Sequence, residues 1–317
     1  MPKLIKLFPK VQFIITTHAP LFVLGMNKEF GDDFDIYELP DANKITPERF
    51  SEFNRAYSYY KNTTKYETEL REAIDEREKT LIVTEGTSDW KHLKAAYNRL
   101  KDNENYKEIF ENLDFDFLEY EPINSDSDTD YKYDMGSTAL CNMCETCAKL
   151  PRKQKLIFIA DRDVEKVNKK LSESEKEYKK WTDGVYSFIL PIPEFRKDTP
   201  NISIEHLYTD EEIKTECIEN GIKRRLFMGN EFDDRGINVE KDRLCTKKEL
   251  CGPNSISIID GSSKSRVSGL ANDKDINFAL SKNKFAEYVL NGSDDFSEFD
   301  FKEFIPIFKT IKKICDE

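Results

Sequence analysis

Two short apolar runs that each end in carboxylates constrain the fold of this chain more than any other feature. TLIVTEG (80–86) runs into Glu85, and KLIFIADRD (155–163) runs into Asp161 and Asp163. Short apolar runs bounded by turn residues are typical of buried strands. Stretches with helical spacing separate them from further strand-like segments, and strands that alternate with helices favour a parallel sheet. We therefore predict an α/β fold with a parallel sheet and helices on both of its faces.

The neighbouring segments complete the predicted sheet. SDWKHLKAAYNRLK (88–101) has the spacing of a helix, with Ser88 as the expected N-cap. Further strands are expected at FDFLEYE (115–121) and VYSFILPIP (185–193). After the second carboxylate-ending run, we expect a helix that continues to about residue 180.

The carboxylates at the strand ends predict a site for a divalent cation. Glu85 and Asp161 follow strands whose carboxyl ends meet at one edge of a parallel sheet, where such folds bind ligands. Asp89 lies in the first turn of the next helix, and strand alternation would place Asp161 and Asp163 on one face, roughly 7 Å apart. Carboxylates this close repel one another unless a cation lies between them, and Mg²⁺ prefers such oxygen ligands. Acidic residues also cap helices and end strands, so a purely structural role stays open.

Charge and hydropathy exclude some classes of protein. The 317 residues carry a formal net charge of −12, which argues against nonspecific binding of nucleic acid by the whole surface. Local phosphate contacts remain candidates at residues 223–225, 247–248 and SSKSR (262–266), although each segment also fits an ordinary solvated face. No apolar run approaches the length of a membrane span, about 18–20 residues. We expect a cytoplasmic protein with reduced thiols and no membrane association.

Three of the seven cysteines lie in the segment CNMCETC (141–147). The C-x2-C-x2-C spacing occurs in metal and cluster sites. The surrounding sequence has helical character, and this spacing would place the three thiols along one stripe of a helix. We favour a half-buried helix face over a metal site.

Several of these segments together resemble a known family. VTEGTSD, followed about 75 residues later by FIADRD, resembles the TOPRIM domain of topoisomerases, primases and nucleases, over residues 79–195. QFIITTHAPLFV resembles the last core strand and switch histidine, here His18, of ABC-type ATPases. SKNKFAEYV resembles the lysine motif of the OLD (overcoming lysogenization defect) nucleases, which join an ABC-type ATPase to a TOPRIM domain in this order.

The resemblance implies a set of metal ligands and a divalent cofactor, Mg²⁺ or Mn²⁺. Two further acidic positions of the family match the segments ISIEHLY and SIIDG. The implied ligands are all carboxylates: Glu85, Asp89, Asp161, Asp163, Glu205 and Asp260. One metal would activate a water and another would stabilise the leaving oxygen, as in two-metal hydrolysis.

The implied catalytic residues are Glu85, Asp161 and a lysine. Lys282 in K-N-K-F-A fits the family's K-x-x-F-A motif, with Lys284 as the second choice. A lysine there would act as a point charge against a phosphate that accumulates negative charge. A solvated helix lysine is the competing interpretation.

The ATPase resemblance covers only the start of the chain. The sequence has no G-x-x-x-x-G-K-[ST] loop to hold phosphates, so we expect ATP as a cofactor only if a partner supplies an ATPase site. VQFII (11–15) predicts a buried strand and DIYELP (35–40) a short one. The expected organisation is a remnant of an ABC-type ATPase domain (1–40), a helical linker (41–78), the TOPRIM core (79–195), and the TOPRIM completion with a helical C-terminal extension (196–317).

The sequence thus predicts a metal-dependent DNA endonuclease or nickase of the OLD-like TOPRIM type, active in defence against phage or foreign DNA. DNA and an ATPase partner, or self-association, are the expected interactions. Two alternatives stay open. The chain would be either a catalytically incomplete subunit that binds an ATPase partner, or a TOPRIM protein of the primase or topoisomerase kind.

Overall fold

The computed structural model describes most of the chain, in two compact units, Met1–Glu76 and Arg77–Glu317. The described residues are 2–17, 20–38, 42–45, 79–121, 135–149, 154–182, 184–238, 242–262, 266–270 and 273–317. None of the helices in these ranges is long and apolar enough to cross a membrane.

The first unit contains two helices and a β-hairpin. Its elements are α1 (Pro2–Lys6), α2 (Pro20–Phe30), β1 (Ile36–Glu38) and β2 (Asn43–Ile45), and β1 pairs antiparallel with β2. β1 confirms the short strand expected within residues 35–40, whereas β2 falls within the segment expected to be a helical linker.

The strand predicted at residues 11–15 is wrong. Residues 11–17 have no regular structure, and the side chains of Val11 and Ile14 are 54% and 89% exposed. The apolar run suggested burial, but none of the strands in the described residues pairs with it. His18, the candidate switch histidine, lies outside the described residues, as do residues 46–78.

The second unit is built on a five-stranded sheet with the order β4-β3-β5-β7-β6. Its strands are β3 (Thr80–Thr84), β4 (Phe115–Phe117), β5 (Leu156–Ala160), β6 (Lys179–Thr182) and β7 (Val185–Ile189). β3 runs parallel to β4 and β5, β5 runs parallel to β7, and β6 is an antiparallel edge strand. The prediction of an α/β fold with a largely parallel sheet is confirmed.

The two carboxylate-ending runs form inner strands of the sheet, β3 and β5, and both are buried. β5 is buried at every position, and β3 is buried from Leu81 onward. In register, Leu81 pairs with Leu156 and Thr84 with Ile159. Continuous apolar strands of this kind are typical of parallel sheets covered on both faces.

The helices that flank the sheet begin after its strands. They are α3 (Asp89–Leu100), α4 (Lys107–Phe110), α5 (Ser137–Cys147) and α6 (Glu165–Leu171). α3 confirms the helix expected at 88–101, but the Ser88 side chain makes no capping hydrogen bond. α5 confirms the cysteine helix, and all three of its thiols are buried.

The helix expected to continue to about residue 180 ends at Leu171. The edge strand β6 comes after this helix. Its positions alternate between half-buried and exposed, which is typical of a strand with one face in solvent. Gly184 (φ +83°), which leads into β7, takes a left-handed conformation that favours glycine.

The remainder of the unit, for which we expected a completion of the sheet domain and a helical C-terminal extension, contains both short strands and helices. A short helix, α7 (Asp210–Ile213), is followed by three antiparallel two-stranded pairs: β8 (Cys217–Glu219) with β9 (Ile222–Arg224), β10 (Phe227–Met228) with β12 (Ile258–Ile259), and β11 (Arg243–Cys245) with β13 (Val267–Gly269). Phe227, Phe232 and Val267 belong to a small apolar core of this region. The glycines at positions 221 and 236 have positive φ, which allows tight turns between the short strands.

Two helices complete the chain, α8 (Lys282–Asn291) and α9 (Ile305–Asp316). α9 confirms the amphipathic C-terminal helix. Its Phe308 is fully buried, with ring centroids 5.2 Å from Phe110 and 6.0 Å from Tyr97. Aromatic packing therefore fixes α9 against α3 and α4.

We expect Phe308→Ala to lower the free energy of unfolding by about 3–5 kcal/mol, because it leaves a cavity in this aromatic cluster. Phe195→Ala is the matched control, since Phe195 is 47% exposed and should change stability by less than about 1 kcal/mol. Chemical denaturation measures both. Equal effects of the two substitutions would contradict the packing of α9.

Candidate active site

Carboxylates from separate parts of the sequence meet at the carboxyl ends of β3 and β5. Glu85 follows β3, Asp89 begins α3, and Asp161 follows β5. Glu205 comes from a turn of 3₁₀ helix, Ile204–Leu207. The charges of these groups shift one another's pKa, so we refer to Glu85, Asp89, Asp161 and Glu205 as the carboxylate cluster.

The tight turn between β3 and α3 fixes Asp89. The Gly86 backbone N–H donates a hydrogen bond of 2.6 Å to Asp89 Oδ2. A Cβ atom at position 86 would lie 2.7 Å from Asp89 Oδ1. Glycine is therefore required here by the close approach of the carboxylate, and Asp89 is held at the start of its helix.

Glu85 is half-buried, and the backbone amides of Asp161 and of Ser137, the first residue of α5, act to lower its pKa. Burial raises the pKa of Glu85 to about 7, and the charges of Asp89 and Asp163 add to the rise. Within the described part of the chain, Glu85 Oε2 is buried and has no hydrogen-bond partner.

Asp89 and Asp161 also hold their protons more tightly than usual. Burial raises the pKa of Asp89 to about 6, and the charge of Glu205 acts in the same direction. Burial raises the pKa of Asp161 well above its ordinary value, with Asp89 and Glu205 as the next causes. The cluster therefore has more negative charge than its surroundings neutralise.

One cation, Lys282, compensates Glu205. Lys282 Nζ donates to Glu205 Oε2 at 3.0 Å, and the Ser203 hydroxyl donates to the same oxygen at 2.6 Å. Burial alone would raise the pKa of Glu205, but Lys282 and His92 lower it to about 2. Burial by itself would lower the pKa of Lys282, but Glu205 and Asp161 raise it above its ordinary range.

Two residues near the carboxylate cluster, His92 and Lys91, were not predicted as site residues from the sequence. His92 is fully buried, with Nδ1 3.0 Å from the Tyr208 hydroxyl and Nε2 without a partner in the described structure. Burial lowers the pKa of His92 to about 4, so it is neutral at neutral pH. His92 lies three residues after Asp89 in a predicted helix, so the two side chains share one helix face. This spacing was the signal in the sequence that could have identified His92.

Lys91 is the second missed residue. Its ammonium contacts Glu121 at 2.6 Å and Asn283 at 2.7 Å, and the Lys91 and Glu121 side chains are 4% and 8% exposed. Asn283 adjoins Lys282 in α8. This buried interaction therefore holds the start of α8 against α3, and with it Lys282 against Asp89.

Lys282 and Lys284 have different surroundings in the structure. Lys284 is 53% exposed and pairs with Glu287 on its own helix, whereas Lys282 faces the cluster. The spacing of two residues on a helix turns the side chains in different directions. Only Lys282 of the pair is placed to act on a group bound at the carboxylates.

Two other sequence candidates lie less centrally. β5 ends at Ala160, so strand alternation does not apply to Asp161 and Asp163, and Asp163 is exposed. Asp260 follows β12 and is half-buried. The next residue, Gly261, donates a backbone hydrogen bond to Leu280, two residues before Lys282.

The candidate phosphate contacts at residues 223–225 are paired with acids. Lys223 contacts Glu216 at 3.0 Å, and Arg225 forms a half-buried pair with Glu231. Lys223 is exposed and fits the solvated-face interpretation, whereas Arg225 is held by its pair with Glu231. Residues 263–265 of the third segment lie outside the described residues.

The donor set fits a hard divalent cation chemically. All four cluster groups offer oxygen ligands, and Glu85 Oε2 and Glu205 Oε1 are buried without hydrogen-bond partners in the described structure. Among the described residues, however, no three His, Cys, Asp or Glu side chains converge in an arrangement that could hold a metal ion. Binding would therefore require the carboxylates to move toward one another.

Comparison with known proteins found no matching family model, no matching curated protein and no matching solved structure.

The raised pKa of Glu85 has a consequence for stability. Between its ordinary value of 4.5 and about 7, the folded state binds the proton that the unfolded state has released. The free energy of unfolding should therefore fall as pH rises through this range, by on the order of 2–3 kcal/mol from Glu85 alone.

We expect Glu85→Gln to reduce this pH dependence, because glutamine does not titrate. Denaturation in EDTA at about pH 5 and about pH 8 measures it. The control is Glu165→Gln, at an exposed glutamate of α6, which should keep the wild-type dependence. A Glu85→Gln protein with an unchanged dependence would contradict the assigned pKa.

Proposed function

We propose that this protein is a metal-dependent nuclease of the TOPRIM type that hydrolyses phosphodiester bonds in DNA, as its resemblance to OLD nucleases implies. The observation that carries the proposal is the carboxylate cluster at the carboxyl ends of adjacent parallel strands, with Lys282 directed into it. In parallel sheets, ligands bind at that edge.

Glu85, Asp89, Asp161 and Glu205 would hold the divalent cation, Mg²⁺ or Mn²⁺. When bound, the cation supplies Lewis-acid activation of water and of the phosphate. The carboxylates of the cluster repel one another, as their mutual contribution to the raised pKa values of Asp89 and Asp161 indicates, and this repulsion favours entry of a cation.

Lys282 would stabilise the negative charge that develops on the phosphate. Its ammonium is fixed by Glu205 and is therefore oriented before substrate arrives, which is the condition for electrostatic stabilisation of a transition state. The Lys91–Asn283 contact positions the beginning of α8 and so keeps this ammonium in place.

We expect Mg²⁺- or Mn²⁺-dependent cleavage of plasmid DNA that is lost by at least about 100-fold in Asp161→Asn, because the amide cannot provide a charged ligand. Asp163→Asn is the matched comparison and should lose much less, since Asp163 is exposed. Gel assays of purified protein measure both. Cleavage that persists in excess EDTA would rule out the metal mechanism.

We expect Lys282→Met to lower turnover by about 100-fold while substrate affinity changes less, because the ammonium acts mainly on the transition state. Lys282→Arg should retain part of the activity, which separates lost charge from lost folding. Lys284→Met is the matched control with the same change on an exposed face. A larger loss in Lys284→Met would reverse the assignment of the two lysines.

A further inference from the structure

A cavity of about 410 Å³ adjoins the loop that carries Asp161. Its walls come from this loop, from the segment after α6, from β7 and its following residues, and from α9. Its volume lies in the range of small-ligand sites. Arg162, the residue after Asp161, belongs to the wall, so the cavity and the carboxylate cluster share one short stretch of chain.

Two of the cations at this cavity are already paired. Lys176 Nζ contacts Glu173 at 2.6 Å, and Lys313 Nζ donates to Glu177 at 2.7 Å. All four side chains line the cavity. Their charges cancel, so they form a polar rim without selecting the sign of a ligand.

Two further cations are not neutralised. Arg162 is fixed by a hydrogen bond from Nε to the Leu190 carbonyl at 2.9 Å, and its backbone N–H donates to Ile202. Within the described residues, neither its two Nη groups nor Lys309 Nζ has a hydrogen-bond or ion-pair partner. The cavity therefore carries an unbalanced positive charge in a protein whose net charge is −12.

Part of the lining is apolar. Pro191, Pro306 and the buried ring of Phe188 contribute to it. Rigid apolar walls beside a guanidinium and an ammonium suit a ligand that has both an anionic group and a flat or apolar part.

We propose that this cavity binds one nucleotide, with its phosphate between Arg162 and Lys309 and its sugar and base against Pro191 and Pro306. A guanidinium fork held at Nε offers its Nη donors to phosphate oxygens in a bidentate arrangement. The nucleotide would be either a free mononucleotide or one unit of a DNA strand. The strand source rests on the proposed function, since Arg162 directly follows Asp161 in the chain.

The test measures binding to the full-length protein in EDTA, by fluorescence anisotropy with a short fluorescein-labelled oligothymidylate. Lys309→Met should weaken binding about 3–10-fold and reduce the slope of log affinity against log salt by about 0.7, the effect of one lost phosphate contact on a single strand. Arg162→Gln should weaken it more, and thermal unfolding checks that both variants fold.

Lys312→Met is the matched control. Lys312 lies on the same helix but outside the cavity, where it donates to the Glu111 carbonyl, so its loss should leave binding unchanged. Competition by thymidine monophosphate would identify the free nucleotide as sufficient, whereas competition only by oligonucleotides would identify the strand. Equal effects of Lys309→Met and Lys312→Met, or no binding of either probe, would overturn the proposal.

This experiment separates the cavity from the nuclease activity because it needs no cleavage. If the wild type cleaves DNA and Lys309→Met binds normally, the cavity proposal fails and the function stands. If the wild type cleaves nothing but Lys309→Met selectively loses nucleotide binding, the cavity proposal stands and the function fails.

Discussion

The ion pair between Lys282 and Glu205 is the interaction on which the rest of the site depends. Glu205 is 1% exposed, and its charge is tolerable in the interior only because an ammonium lies 3.0 Å away. An unpaired buried charge costs about 3 kcal/mol or more. Burial raises the pKa of Glu85 and Asp161, whereas the nearby ammonium of Lys282 outweighs the same effect at Glu205 and lowers its pKa.

Several contacts that involve no substrate group hold this arrangement. The Gly86 N–H fixes Asp89, the Ser203 hydroxyl donates to Glu205, and Lys91 fixes α8 through Asn283. Each contact joins a different element to the same edge of the sheet. The hydrogen-bonded groups of the cluster are therefore held in place. Two carboxylate oxygens, Glu85 Oε2 and Glu205 Oε1, have no partner in the described structure and are available to a ligand.

Much of the core was predictable because its signals are local. The strands β3 and β5 are uninterrupted apolar runs, and α3 and α5 have clear helical spacing, so their existence followed from periodicity. The strand expected at 11–15 failed because an apolar run indicates burial only when another element is available to cover it. The prediction that the helix continues beyond Leu171 was wrong because β6 forms by pairing with β7. The local sequence gives no sign of that pairing.

The site was predictable in part for the same reason. Glu85, Asp89 and Asp161 lie at ends of elements that the sequence marks, close enough for their charges to shift one another's pKa. The strand alternation invoked for Asp163 does not hold because strand β5 ends at Ala160, whereas its predicted role as a ligand stays a prediction. Lys91 and His92 were missed because a lysine or histidine inside a helix gives no sign that it will be buried; their partners Asn283 and Tyr208 lie far away in sequence.

The distribution of these groups along the chain has a consequence for synthesis. Three of them, Glu85, Asp89 and His92, emerge from the ribosome within one strand–turn–helix unit, and Asp161 follows with β5. The only ammonium that pairs with the cluster, among the residues the structure describes, emerges at position 282, on α8. Until α8 has been made, the carboxylates at this edge of the sheet lack the ammonium that pairs with them in the folded protein. The completion of this edge therefore depends on a helix that is synthesised much later than the strands that carry it.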